Sequence, residues 1–145
     1  SERPQWQVTA TDIYPPTLEV AKENAIRHGL VDVQFACGTW FEALNPQKFD
    51  LIVSNPPYID PEDVHMQKLK SEPERALIAD HQGLADIETI IVEGKTWLKS
   101  NGWIVLEHGY DQGQKVREIF NQQGFSQIQT IQDYGGNDRV SLGQY

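Results

Sequence analysis

The sequence has 145 residues, one domain's worth of chain and enough to bury a sizeable core. Lys and Arg number 12 against 21 Asp and Glu, and the resulting net charge of -9 argues against tight, sequence-independent binding to a phosphate backbone. Hydrophobic residues at 39% and charged residues at 23% fit a folded soluble domain, a single cysteine excludes an internal disulfide framework and any multi-cysteine zinc site, and no apolar run nears the roughly 18 residues of a membrane span.

That one cysteine also suits a reducing, cytoplasmic setting. The chain opens Ser1-Glu2-Arg3-Pro4 and carries its only methionine at Met66, so a piece of a longer protein is expected. Short apolar runs alternate with helical patterns, which predicts an α/β fold with parallel strands. Gln7 to Thr11 reads as a strand ending at Asp12. Pro15-Pro16 offers a helix start, and Leu18, Ala21, Ala25 and Ile26 are spaced helically up to a stop at Gly29. Val31 to Ala36 is a second strand. Phe49 to Ser54 is a third, apolar enough to be covered on both faces. Residues 60–82 are polar and read as a long loop with one or two helical turns. Ala85 to Leu98 is helical, with Ile87, Ile90, Ile91 and Leu98 on one side. Asn101-Gly102 turns into a buried strand, Trp103 to Leu106. Gln114 to Gln123 is a helix stopped by Gly124. Gln127 to Gln132 and Arg139 to Leu142, joined through Gly135-Gly136, predict an antiparallel hairpin.

Asp12 and Asn55-Pro56-Pro57-Tyr58 each follow a strand, and ligands of open α/β sheets bind beyond the carboxyl ends of strands, so one rim is expected for both. Two successive prolines give a stiff turn with outward carbonyls. Asn55 adds an acceptor and Tyr58 a flat aromatic face, which together suit a planar NH2 group. The plainer alternative is a rigid loop with Tyr58 packing; the four-residue string directly after an apolar strand favours the chemical reading. Asp12 is either an acceptor for two ribose hydroxyls or a helix N-cap. Trp40 reads as a wall for an adenine ring, and Phe41 as core. Glu107 either lines the pocket or is solvated. His28, His65, His81 and His108 lack metal-ligand spacing and read as surface or satisfied histidines. Cys37 reads as a buried, inert thiol.

The string Ser54 to Ile59 resembles the signature of S-adenosylmethionine-dependent N-methyltransferases that act on planar amino groups. Glu72-Pro73, Ala76-Leu77, Gly83 to Ile87, Leu106-Glu107-His108-Gly109, Asp133-Tyr134-Gly135 and Asn137 to Val140 follow. Their succession is similar to the HemK-type family of bacterial peptide chain release factor glutamine N5-methyltransferases, over essentially the whole chain. The resemblance implies a Rossmann-like class I methyltransferase fold and S-adenosyl-L-methionine as cofactor. It implies that Asp12 binds the donor's ribose, that Trp40 flanks its adenine, and that Asn55 contacts donor and substrate. Asn55, Pro56, Pro57 and Tyr58 would hold the glutamine amide, with Asn55, Pro56 and Tyr58 catalytic. The implied partner is a release factor, with no direct nucleic acid and no membrane. Thr39 stands where the family often has Asp, an acceptor weaker than a carboxylate. The family's N-terminal helical domain, first strand and Gly-rich loop are absent from these 145 residues, which read as a partial catalytic domain. Loss of that strand, which lies between the strands at Gln7 and Phe49, predicts a gap in the sheet with unpaired backbone groups on both sides. Two other functions remain open at this stage: methylation of adenine or guanine amino groups in DNA or rRNA, and an inactive fragment.

Overall fold

Residues 3, 5–58 and 83–145 are described in the computed structural model. The loop expected over 60–82, with His65 and His81, lies outside the described residues, as do Ile59, Glu72-Pro73 and Ala76-Leu77. The chain divides into two units, Ser1–Gln47 and Lys48–Tyr145.

The first unit holds β1 (Thr9–Asp12), α1 (Pro15–Arg27) and β2 (Gln34–Cys37). The strands pair in parallel, with Asp12 opposite Cys37. Helix α1 begins on Pro15 and Pro16, where a missing N–H removes no helical hydrogen bond. It ends as the sequence predicts: Gly29 takes the left-handed conformation at φ +67, and Leu30 N donates back to the Ala25 carbonyl at 2.8 Å. Leu18, Ala25 and Phe41 are buried, whereas Ile26, expected on the inner face, is exposed.

The second unit holds β3 (Phe49–Ser54), α2 (Ala85–Trp97), β4 (Leu98–Glu107), α3 (Gly113–Gln122), β5 (Ser126–Gln132) and β6 (Asp138–Gln144). The strand order is β3-β4-β6-β5, with β3 parallel to β4 and the other pairs antiparallel. Ile87, Ile90 and Ile91 of α2 meet Leu98, Ile104 and Leu106 of β4 and Val116, Ile119 and Phe120 of α3 in one fully or nearly fully buried core. Each such side chain removed from water contributes about 1.5–3 kcal/mol. The β5–β6 hairpin is as predicted. Asp133 Oδ1 accepts the N–H groups of Gly135 at 2.8 Å and Asn137 at 3.0 Å, and these donors, that of Asn137 foremost, hold its carboxyl below the usual carboxylate range.

One expectation is met and two are corrected. The strands form a two-stranded and a four-stranded sheet, so β1 and β3 each have one strand neighbour among the described residues. This is the interruption expected between the strands at Gln7 and Phe49. Strand β3 is not covered on both faces: Leu51 and Val53, 36% and 67% exposed, share an open face. Asn101-Gly102 is not a turn before a strand. Strand β4 starts at Leu98, and a bulge sets four of its residues against one of β3, with Phe49 opposite Leu98 and Leu51 opposite Trp103. Asn101 enters this bulge at φ 64, a conformation its short polar side chain tolerates.

Phe120 is fully buried and packs edge-on against Phe125, ring centroids 5.1 Å apart. Phe120→Ala is expected to lower stability by about 3–5 kcal/mol, read as a lower urea midpoint at unchanged slope.

Candidate active site

Strand β3 delivers Asn55-Pro56-Pro57-Tyr58 at its carboxyl end. Its last residue, Ser54, lies opposite Leu106, so the segment emerges beside the end of β4. Pro56 is buried, Pro57 and Tyr58 are half-buried, and Asn55 is exposed. The prolines have no N–H, so the segment's interior cannot be fixed by backbone donation. Tyr58 is instead fastened at both ends. Its hydroxyl donates to Glu107 Oε1 at 3.2 Å, and its carbonyl accepts from Gln112 Nε2 at 2.9 Å. Burial, aided by the Glu107 carboxylate, pushes the phenol above its ordinary value. Glu107 is thus half-buried and tied to Tyr58. Gln112, the residue before α3, is buried; its Oε1 accepts Gly109 N–H at 2.7 Å.

Beneath this rim His108 is fully buried and satisfied, as the sequence suggested. A carbonyl can only accept, so Nδ1, 2.8 Å from the Gly109 oxygen, carries the proton. Nε2 then accepts from Ser141 Oγ at 2.8 Å, Ser141 from Thr130 Oγ1 at 2.8 Å, and Thr130 from Arg117 Nη1 at 2.7 Å. Arg117 and Arg139 flank the row: Arg117 lies 3.6 Å from Asp138, and Arg139 Nη1 donates to the His108 carbonyl at 3.2 Å.

In the first unit Asp12 and Trp40 stand at the same end of the β1–β2 pair. Gly38 N donates to the Asp12 carbonyl at 3.1 Å, which brings the Gly38–Trp40 turn against the end of β1. Asp12 Oδ1 accepts Tyr14 N–H at 2.7 Å. The N-cap of α1 is Tyr14, so Asp12 shapes the turn ahead of the helix and does not cap it. Trp40 is half-buried at φ 45. Thr39 is half-buried beside it. Cys37 is exposed, against expectation, because β2 has no strand beyond it among the described residues. A half-buried carboxylate and an aromatic residue at the same strand end are groups of the kinds that suit a nucleoside, hydroxyls for the first and a ring for the second.

A family model described as a methyltransferase domain matches residues 1–136. The chain belongs to the methyltransferase domain family. The chain is 48% identical to the release factor glutamine methyltransferase of Vibrio cholerae serotype O1, covering 100% of this chain and 52% of that one. It is 43% identical to the release factor glutamine methyltransferase of Salmonella typhimurium, covering 99% and 53%. The chain therefore spans about half the length of these relatives. Among solved structures, a methyltransferase from Pyrococcus furiosus aligns with a TM-score of 0.72 at 20% identity, over 99% of this chain and 66% of that one. The fold is accordingly the α/β fold of class I methyltransferases. No helix among the described residues is long and apolar enough to cross a membrane.

Sequence reasoning missed Gln112 and Ser141. Neither sits in a motif with a chemical signature; each matters through a partner distant in the chain.

Burial holds the His108 ring below its ordinary value of 6.5. The folded protein keeps it neutral where the unfolded chain takes up a proton. The stability tied to this difference is complete above pH 6.5 and is lost as pH falls from there towards the lower folded-state value. Urea unfolding of His108→Gln between about pH 7.5 and pH 5.5 is expected to lack this part of the wild-type loss.

Proposed function

We propose that this chain is the methyl-transferring part of an enzyme that methylates the side-chain amide nitrogen, N5, of a glutamine in peptide chain release factors. The observation that carries the proposal is Asn55-Pro56-Pro57-Tyr58 at the end of β3, with Tyr58 held through both its hydroxyl and its carbonyl. The relatives named release factor glutamine methyltransferase support the same acceptor. S-adenosyl-L-methionine is the proposed donor and supplies, when bound, a methyl group on a sulfonium centre. Asp12 is assigned to its ribose hydroxyls and Trp40 to its adenine. Asn55, Pro56, Pro57 and Tyr58 are assigned to the glutamine amide, and Asn55 also to the donor.

The acceptor chemistry explains the residue types. An amide nitrogen is a weak nucleophile because its lone pair is delocalised into the carbonyl. Asn55 Oδ1 and the Pro56 carbonyl each accept one of its N–H bonds, and the Tyr58 ring supports the flat group. With both N–H bonds held, the lone pair is aimed along one line, and the two acceptors stabilise positive charge as it develops on nitrogen. No base needs to act before transfer, since the proton leaves the charged nitrogen afterwards.

The nearest rival acceptor is the amino group of adenine or guanine. Its enzymes need a basic surface and a route for extruding the base, which a net charge of -9 does not favour. A protein acceptor and a cytoplasmic setting are proposed accordingly. The family's first strand, donor loop and helical domain are proposed to belong to the full natural protein outside these residues.

Asn55→Ala in the full natural protein is expected to cut methyl transfer to a release factor by about 10²-fold or more, with DNA and rRNA as parallel acceptors. Near-normal turnover of that variant, or preferred methylation of a nucleic acid, contradicts the assignment. Asp12→Ala is expected to weaken donor affinity by about tenfold, measured by calorimetry.

A further inference from the structure

We infer that Gln112 is a positioning residue for methyl transfer: its side-chain amide ties the Tyr58 carbonyl to the Gly109 backbone and so sets the angle of the Asn55–Tyr58 acceptor row.

The orientation of this amide is forced by its neighbours. Gly109 N–H can only donate and the Tyr58 carbonyl can only accept, so Oε1 faces the first at 2.7 Å and Nε2 the second at 2.9 Å. The turn beneath is equally determined. The Gly109 carbonyl accepts both the Gln112 backbone N–H at 3.0 Å and His108 Nδ1 at 2.8 Å. His108 N–H donates to the Arg139 carbonyl at 3.0 Å. Gln112 therefore joins the loop to a turn that is itself braced against β6.

Gly83 closes the other side. It adopts φ +75, and a Cβ at that position would overlap the Tyr58 carbonyl and come within 2.7 Å of Gln112 Nε2. The Tyr58 carbonyl is thus pressed between a glycine and a donor. Because Pro56 and Pro57 have no N–H, Asn55 and Tyr58 are the segment's only sources of backbone donors, and rotation of the Tyr58 peptide turns the whole stiff segment. A small tilt there moves the acceptors assigned to the substrate amide away from the line of transfer.

This role rests on Asn55–Tyr58 being the transfer site, so the full natural protein and its Asn55→Ala variant are assayed first on a release factor. An inactive wild type, or an active Asn55→Ala, sinks the site and the role of Gln112 with it. Given an active wild type and an impaired Asn55→Ala, the Gln112 variants test the present inference alone. Gln112→Glu keeps the shape and the acceptor for Gly109 while setting a carboxylate oxygen against the Tyr58 carbonyl; Gln112→Met keeps the length and removes the bonds to Gly109 and Tyr58. The expected result is a fall of about 10²-fold in kcat, with KM for donor and release factor within about threefold and the unfolding temperature within about 5 °C of wild type. A kcat within threefold of wild type, a change confined to KM, or failure of both variants to fold overturns the inference, the last making Gln112 a purely structural residue.

Discussion

Strand β4 is hydrogen-bonded along both edges, to β3 on one side and β6 on the other, and the chemistry of the second unit depends on this double pairing. Pairing with β3 brings the start of Asn55–Tyr58 level with the end of β4. Pairing with β6 sets Glu107 opposite Val140 and holds the His108 backbone against Arg139. A strand fixed in this way cannot shift register without turning Ile104 and Leu106 out of the core and Trp103 and Val105 into it. The cost of such a slip in buried apolar surface keeps Glu107 and the 109–112 turn where Tyr58 needs them.

Much of the architecture was legible because it follows from periodicity and from glycine and proline. The two helix ends at Gly29 and Gly124, the prolines opening α1, the apolar ladder of α2 and the hairpin around Gly135-Gly136 are local consequences of side-chain size and backbone freedom. Asn55–Tyr58 was legible as well, since a proline pair after an apolar strand restricts the chain in few ways. What escaped were properties that depend on the identity of a distant neighbour. The apolar composition of β3 speaks for coverage on both faces, yet Val53 is exposed, because a strand's composition does not say whether the covering element lies within these residues. Cys37 was misread for the same reason. The bulge in β4 escaped because Asn-Gly is also a common turn pair, and pairing with β3 decides between the two. Gln112 carries no signal at all: a glutamine before a helix is ordinary until its 2.9 Å contact with a carbonyl 54 positions earlier is seen.

On the proposed reading the two units hold different groups. The first presents a carboxylate and an indole at the end of a parallel strand pair, groups that suit a nucleoside. The second presents acceptors on a stiff loop, groups that suit an amide.

The row from Arg117 through Thr130, Ser141 and His108 to Gly109 has a fixed polarity. A guanidinium can only give hydrogen bonds and a carbonyl can only receive them, so neither end permits reversal. A proton wire must flip every member after each passage, and this row cannot. On the proposed reading, the proton released after transfer does not leave along this row, and the polar interior below the rim serves to hold the strands rather than to carry charge.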